Sequence, residues 1–259
     1  ADDLISNAEL VMAQARREGA GYRSHHYTSP SDTRRQVRLE QALREGLSDP
    51  AFRIQYLPRV DAQTGQIQAV EALVRWQDAQ GELLPSQFLP MAERSGMAGR
   101  LDDWVMEQAL GHAAAWHAAG LALHLTLNVS GWQLTQPSYA RRLEAVLRHT
   151  GFPAASLELD VTESALATDP ESALQAIKAL RRLGVGVVLD DFGAGTASLA
   201  LLRRYPFTGV KIDRSLIIHL PRNRSDAALV AGLVQMARAL GLDVMAEGVE
   251  TEAQRRFVA

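Results

Sequence analysis

A set of acidic and amide side chains stands within or at the ends of short apolar runs: Glu71, Asn128, Asp160, Asp190, Asp191 and Glu247, with Lys211 among them. A carboxylate in such a run needs a cation or strong hydrogen bonds once it is buried. Taken singly, each residue has an ordinary structural use. Asp190 or Asp191 could cap the helix after a glycine-rich turn, Asn128 could serve a turn, and Glu250 could sit in a first helical turn. Capping does not account for the whole set, because several members lie inside the runs. Carboxylates gathered at one mouth repel each other unless metal or a bound cation neutralises them. With no cysteine and no well-placed histidine, the oxygen donors point to Mg²⁺ or Mn²⁺, with Ca²⁺ a further option. The neighbours Asp190 and Asp191 allow one carboxylate to bridge two ions while the other holds the second. Two ions about 3.5–4 Å apart form a clamp suited to hydrolysing a phosphate diester.

A ring of this kind requires elements that bring their ends together. From Phe52 onward, β-rich runs alternate with helical segments, the pattern of a β/α architecture with a mainly parallel sheet. The runs are Phe52–Leu57, Ile67–Trp76, His124–Val129, Leu157–Val161, Val185–Leu189, Gly209–Ile212 and Leu242–Ala246. Helices are expected over Leu101–Ala118, Tyr139–Thr150, Ser172–Leu183 and Asp226–Leu240. A short loop with Asp61 and Thr64-Gly65 joins the first two runs, which should pair as an antiparallel hairpin. In a β/α barrel the chemistry collects at the C-terminal ends of the strands. There the second run carries Glu71, Arg75 and Asp78, the fourth Asp160 and Glu163, the sixth Lys211 and Asp213, and the seventh Glu247 with Glu250 beyond. Such a barrel closes with about eight strands. Thr251–Val258 reads as the start of a helix, so the last strand is expected to be missing from this chain. Gly193-Ala194-Gly195 lacks the Gly-Lys-Ser/Thr ending of a phosphate loop and reads as a tight turn.

The 259 residues suffice for one large α/β domain or two modest ones, and 47% hydrophobic with 22% charged residues is ordinary globular composition. The absence of cysteine excludes disulfides and thiolate chemistry. A formal net charge of -3 argues against a partner that is a nucleic-acid polymer. No run reaches the roughly 18 apolar residues of a membrane span, and a cytoplasmic location is expected, although a parent protein could be membrane-anchored. Ahead of the first strand, residues 4–18 read as a helix ending at Gly19 and Gly21, and residues 34–47 as a charged amphipathic helix. Between them, the segment around His25, His26 and Ser29-Pro30-Ser31 has linker composition, and its histidines are expected in solvent.

Glu71-Ala72-Leu73-Val74-Arg75-Trp76 resembles the signature of the EAL domain, a phosphodiesterase that linearises cyclic di-GMP. Five further motifs follow in the family's order: Asn128-Val129-Ser130, Val161-Thr162-Glu163-Ser164, Asp190-Asp191-Phe192-Gly193, Lys211-Ile212-Asp213-Arg214-Ser215 and Ala246-Glu247-Gly248-Val249-Glu250-Thr251. The resemblance implies a TIM-like (β/α) barrel with an antiparallel first strand, cyclic di-GMP as substrate and linear pGpG as product. It implies that Glu71, Asn128, Asp160 and Asp190 hold a first Mg²⁺ or Mn²⁺, with Asp190 shared and Asp191 on a second, and that Ca²⁺ inhibits. Lys211 and Glu247 would act on the attacking water. Leu73, Arg75, Asp213 and Glu250 would contact the substrate, and Glu163 would support the loop bearing the aspartates. Residues 8–19 resemble the closing helix of a GGDEF domain, which implies a remnant of that domain over residues 1–24, a linker over 25–37 and an EAL domain over 38–259. A homodimer and an upstream sensor or GGDEF domain are implied partners.

Three departures stand out. Asp160 occupies a position where the family usually has glutamate. Tyr56-Leu57-Pro58 replaces Tyr-Gln-Pro, which removes an amide expected at the ligand and worth about 0.5–1.5 kcal/mol. The last strand and a glutamine near it are absent from the chain. These departures leave a second reading open, that of a weak or inactive cyclic di-GMP receptor acting through partner interactions.

Overall fold

The computed structural model describes residues 51–78, 81–194 and 199–259. The two helices expected at the N-terminus, the linker segment with its histidines, the segment that resembles a GGDEF domain and Gly195 lie outside the described residues. The described strands are β1 (Phe52–Val60), β2 (Ile67–Asp78), β3 (Gly81–Leu83), β4 (His124–Asn128), β5 (Leu157–Thr162), β6 (Gly186–Phe192), β7 (Gly209–Ile212) and β8 (Asp243–Ala246). They form one sheet in the order β1-β2-β4-β5-β6-β7-β8, with β3 paired to β2 beyond the path. β1 is antiparallel to β2, as the hairpin pattern predicts, and every later neighbour along the path is parallel. The seven predicted runs are all strands. The short β3 was not expected, β1 and β2 run further than their apolar patterns, and β6 continues through both aspartates.

The helices are α1 (Pro85–Arg94), α2 (Ala98–Ala118), α3 (Gly131–Thr135), α4 (Tyr139–Thr150), α5 (Glu163–Ala167), α6 (Pro170–Arg182), α7 (Leu199–Arg204), α8 (Arg214–Ile217), α9 (Arg224–Ala239) and α10 (Glu252–Val258). Local chemistry sets their ends. Asp169 caps α6 by accepting from Ser172 N at 3.1 Å, with Pro170 as the first helical residue, and Gly151 closes α4 at φ 72°. No described helix is long and apolar enough to cross a membrane.

Strand alternation divides the sheet into two unlike faces. One face bears Leu125, Leu127, Leu157, Leu159, Val161, Val187, Leu189 and Val210, all buried in a single cluster with Leu110, Leu143, Ile177 and Leu180 of the helices. Burying each such side chain contributes roughly 1.5–3 kcal/mol, so this layer dominates the fold's stability. The opposite face carries the intervening residues, including Glu71, Thr126, Asn128, Glu158, Asp160 and Lys211. Parallel register aligns them, with Glu71 beside Thr126 and Asn128 beside Asp160. The sheet curls around this second face. Arg59 near the end of β1 pairs with Glu158 of β5 and donates to Met245 Sδ of β8 at 2.9 Å, a span that a flat sheet would not permit.

Candidate active site

Lys211 of β7 is at the centre of the polar face and is only 4% exposed. Its Nζ lies 2.5 Å from Asp160 Oδ2 and 3.3 Å from both Glu71 Oε2 and Glu247 Oε1. Asp160 is 2% exposed and lies on β5 between apolar Leu159 and Val161. Neither of its carboxyl oxygens receives a hydrogen bond of good geometry, so the lysine contact is an ion pair and Oδ1 is left without a partner. Burial pushes the Asp160 carboxyl up to about 8, against the lowering influence of Lys211. Burial also works against the Lys211 ammonium, but Asp160, Glu71 and Asp190 overcome it and hold that pKa above the ordinary lysine range. Asn128 donates through Nδ2 to Glu71 Oε1 at 2.8 Å. Its carbonyl oxygen, the better metal donor, is not used in that bond.

The second part of the ring depends on a backbone irregularity. Leu189 of β6 pairs with Val210 of β7 and Phe192 with Ile212, so Asp190 and Asp191 together stand opposite Lys211. This is a β-bulge, a device that re-aims side chains beside functional sites. Asp191 has φ 55°, the left-handed region that aspartate and asparagine tolerate better than most residues, and its N–H donates to Asp190 Oδ1 at 2.9 Å. Without the bulge, two adjacent strand residues would face opposite sides. With it, donor atoms of Asp190, Asp191 and Glu247 lie within 4.8 Å of one another, an acidic cluster able to hold a cation. Burial raises the carboxyls of Asp190 and Glu247, and Lys211 opposes the shift in each case.

The rim residues are less tightly gathered. Arg75 of β2 donates Nε to Gln55 Oε1 at 3.0 Å and Nη1 to Val74 O at 2.9 Å. Leu57, 56% exposed, is paired with Glu71 across the hairpin and presents no amide there. Asp213 caps α8 by accepting from Ser215 N at 2.9 Å, which holds its carboxyl below the usual range. Glu250 pairs with Arg214 at 2.8 Å, and both side chains are more than half exposed. Glu163 opens α5 and makes no hydrogen bond or ion pair with a described residue. Asp213, Glu250 and Glu163 therefore make no direct bond to the central cluster.

A family model described as the EAL domain matches residues 40–259. The chain belongs to the EAL domain family. Among curated relatives of this EAL chain, the bifunctional diguanylate cyclase/cyclic di-GMP phosphodiesterase MucR of Pseudomonas aeruginosa is 36% identical over 260 residues, covering 99% of this chain and 38% of MucR. The cyclic di-GMP phosphodiesterase NbdA of the same organism is 35% identical over 262 residues, covering 99% of this chain and 33% of NbdA. The chain thus spans little more than a third of such relatives. Among solved structures, the PaMucR phosphodiesterase in complex with c-di-GMP superposes with a TM-score of 0.79 at 36% identity, over 85% of this chain and 90% of that one. The EAL domain of Mycobacterium smegmatis DcpA gives a TM-score of 0.68 at 32% identity, over 82% and 86% of the two chains.

Two features of this EAL domain escaped sequence reasoning. Gln55, Arg53 and Glu82 form a polar cluster around Arg75, for which the only signal was strand parity, since 53 and 55 share a face with 57. Asp102 of α2 accepts from Ser130 Oγ at 3.1 Å, just after Asn128, and burial raises its carboxyl to about 6. An acidic residue near the start of a helix gave no hint of that contact.

Proposed function

We propose that this chain is a metal-dependent phosphodiesterase domain that hydrolyses cyclic di-GMP to linear pGpG. Asp160 carries the reading: a buried carboxyl with an oxygen left unpartnered, beside Lys211 and near an oxygen-only acidic cluster, suits a hard divalent cation. Glu71, Asn128, Asp160 and Asp190 would hold one ion, and Asp190 with Asp191 the second, Mg²⁺ or Mn²⁺ in each case. Bound there, the ions supply charge stabilisation for the phosphodiester and a water of lowered pKa. Lys211 donates a hydrogen bond that orients the attacking water. Glu247, its carboxyl pushed upward by burial, accepts the proton. Arg75 and the Leu73 backbone hold the ligand at the rim, where Asp213 and Glu250 give further contacts, and Glu163 supports the loop after Asp191. Residues 1–24 are read as a GGDEF-like remnant and 25–37 as a linker, in keeping with the longer relatives.

The test is incubation of the chain with cyclic di-GMP and chromatographic separation of products. The expected result is pGpG with Mg²⁺ or Mn²⁺ and none with Ca²⁺. A second reading, a receptor that binds without turnover, is favoured by Leu57 at the rim and the shortened Asp160. Calorimetric binding of cyclic di-GMP with no product in either active ion would establish it over the first. Asp160→Glu assayed beside wild type measures how far the shorter side chain limits the reaction.

A further inference from the structure

The hairpin extends past the carboxylate ring, and its inner face carries an ordered set of charges. Arg53 pairs with Arg75 across β1 and β2, Gln55 with Leu73, and Leu57 with Glu71. β3 adds Glu82, opposite Gln77 of β2. The orientation of the Gln55 amide follows from its two neighbours. Arg75 Nε, 3.0 Å from Gln55 Oε1, can only donate, and the Glu82 carboxylate, 3.4 Å from Gln55 Nε2, accepts. Glu82 is held in turn by Arg53 and lies 3.8 Å from Arg75 Nε. With Nη1 on the Val74 carbonyl, Arg75 is fixed on two sides, and Nη2 makes no bond to a described residue.

We infer that Gln55 is a positioning residue for Arg75: it fixes the guanidinium so that the remaining N–H edge meets the ligand, and so offsets the amide that Leu57 does not provide. This rests on the proposed binding of cyclic di-GMP. A planar guanidinium recognises its partner through donors in a fixed fork, so orientation governs affinity more than the chemical step. Gln55→Leu should raise the KM for cyclic di-GMP and the calorimetric Kd about two- to tenfold, with kcat nearly unchanged. In an Arg75→Ala background the same substitution should change Kd by less than about twofold, because a residue acting through Arg75 has nothing left to act on. The exchange Gln55→Glu with Glu82→Gln, which keeps an acceptor for Arg75 and avoids facing two carboxylates, should restore affinity. Gln55→Asn, one methylene too short, should behave like Gln55→Leu and serves if the leucine variant melts early. Wild-type affinity in both single variants, or full effects that add to Arg75→Ala, overturns the inference alone. A wild-type chain that gives no heat with cyclic di-GMP overturns the functional reading and this inference together.

Discussion

The carboxylate ring has a buried half and an open half, and they are constructed by opposite means. Asp160 and Lys211 occupy regular strand positions between apolar neighbours, and each charge is held mainly by the other. Asp190 and Asp191 sit on an irregular backbone, where a bulge and a positive φ turn two adjacent side chains toward one mouth. In the first half burial governs the charge; in the second, backbone geometry governs the aim. Substitutions should separate the two. Changes in the buried half should disturb stability and chemistry together, whereas changes in the open half should disturb ion binding, and the turnover that depends on it, with little effect on stability.

The largest effect is expected at Lys211. Lys211→Met should lower turnover of cyclic di-GMP by about 10²–10⁴, the range for a group acting on a transferred proton or its water. Next comes the apolar support of the buried half: Leu159→Ala should cost about 2–5 kcal/mol in denaturant unfolding, since Leu159 is fully buried next to Asp160. Asp102 gives a buried carboxyl with a hydroxyl donor in place of a lysine. Its pKa is raised in the folded state from 3.8 to about 6, by burial first, so the folded chain binds its proton more tightly than the unfolded chain. That contribution is fully present below the unfolded pKa and is lost as pH rises through about 6. Asp102→Asn should therefore stabilise the chain at neutral pH by roughly 1–3 kcal/mol and flatten the melting temperature between the two values. The smallest effect on stability belongs to the open half. Asp191→Asn should leave unfolding within about 0.5 kcal/mol of wild type while weakening Mn²⁺ binding in calorimetry. A variant that melts several degrees lower would erase the distinction between the halves.

The sheet was legible because its outer face repeats in short period. Leu157, Leu159 and Val161, like Val187 and Leu189, announce strands whose alternate positions must face elsewhere. The members of the ring were legible for the same reason, as charges interrupting those runs. β3 was not, because Gly81-Glu82-Leu83 is too short to carry a period and exists only through its pairing with β2. The contact of Gln55 with Glu82 depends on that strand, so it was hidden with it. α1 was masked by Pro85 and Pro90, residues that punctuate a sequence although the helix accommodates both. The bulge is likewise a property of two strands, and Asp190-Asp191 reads the same in a sequence with or without it.

That bulge has a consequence for insertions and deletions. Along β6 it lets two residues count as one, so that Leu189 and Phe192 both face the helices despite being three positions apart. Loss of one of the two aspartates would leave a regular strand, with Phe192 still opposite Ile212 and in the apolar layer, but with one carboxylate at the mouth where there were two. In this strand the number of residues is as tightly constrained as their identity.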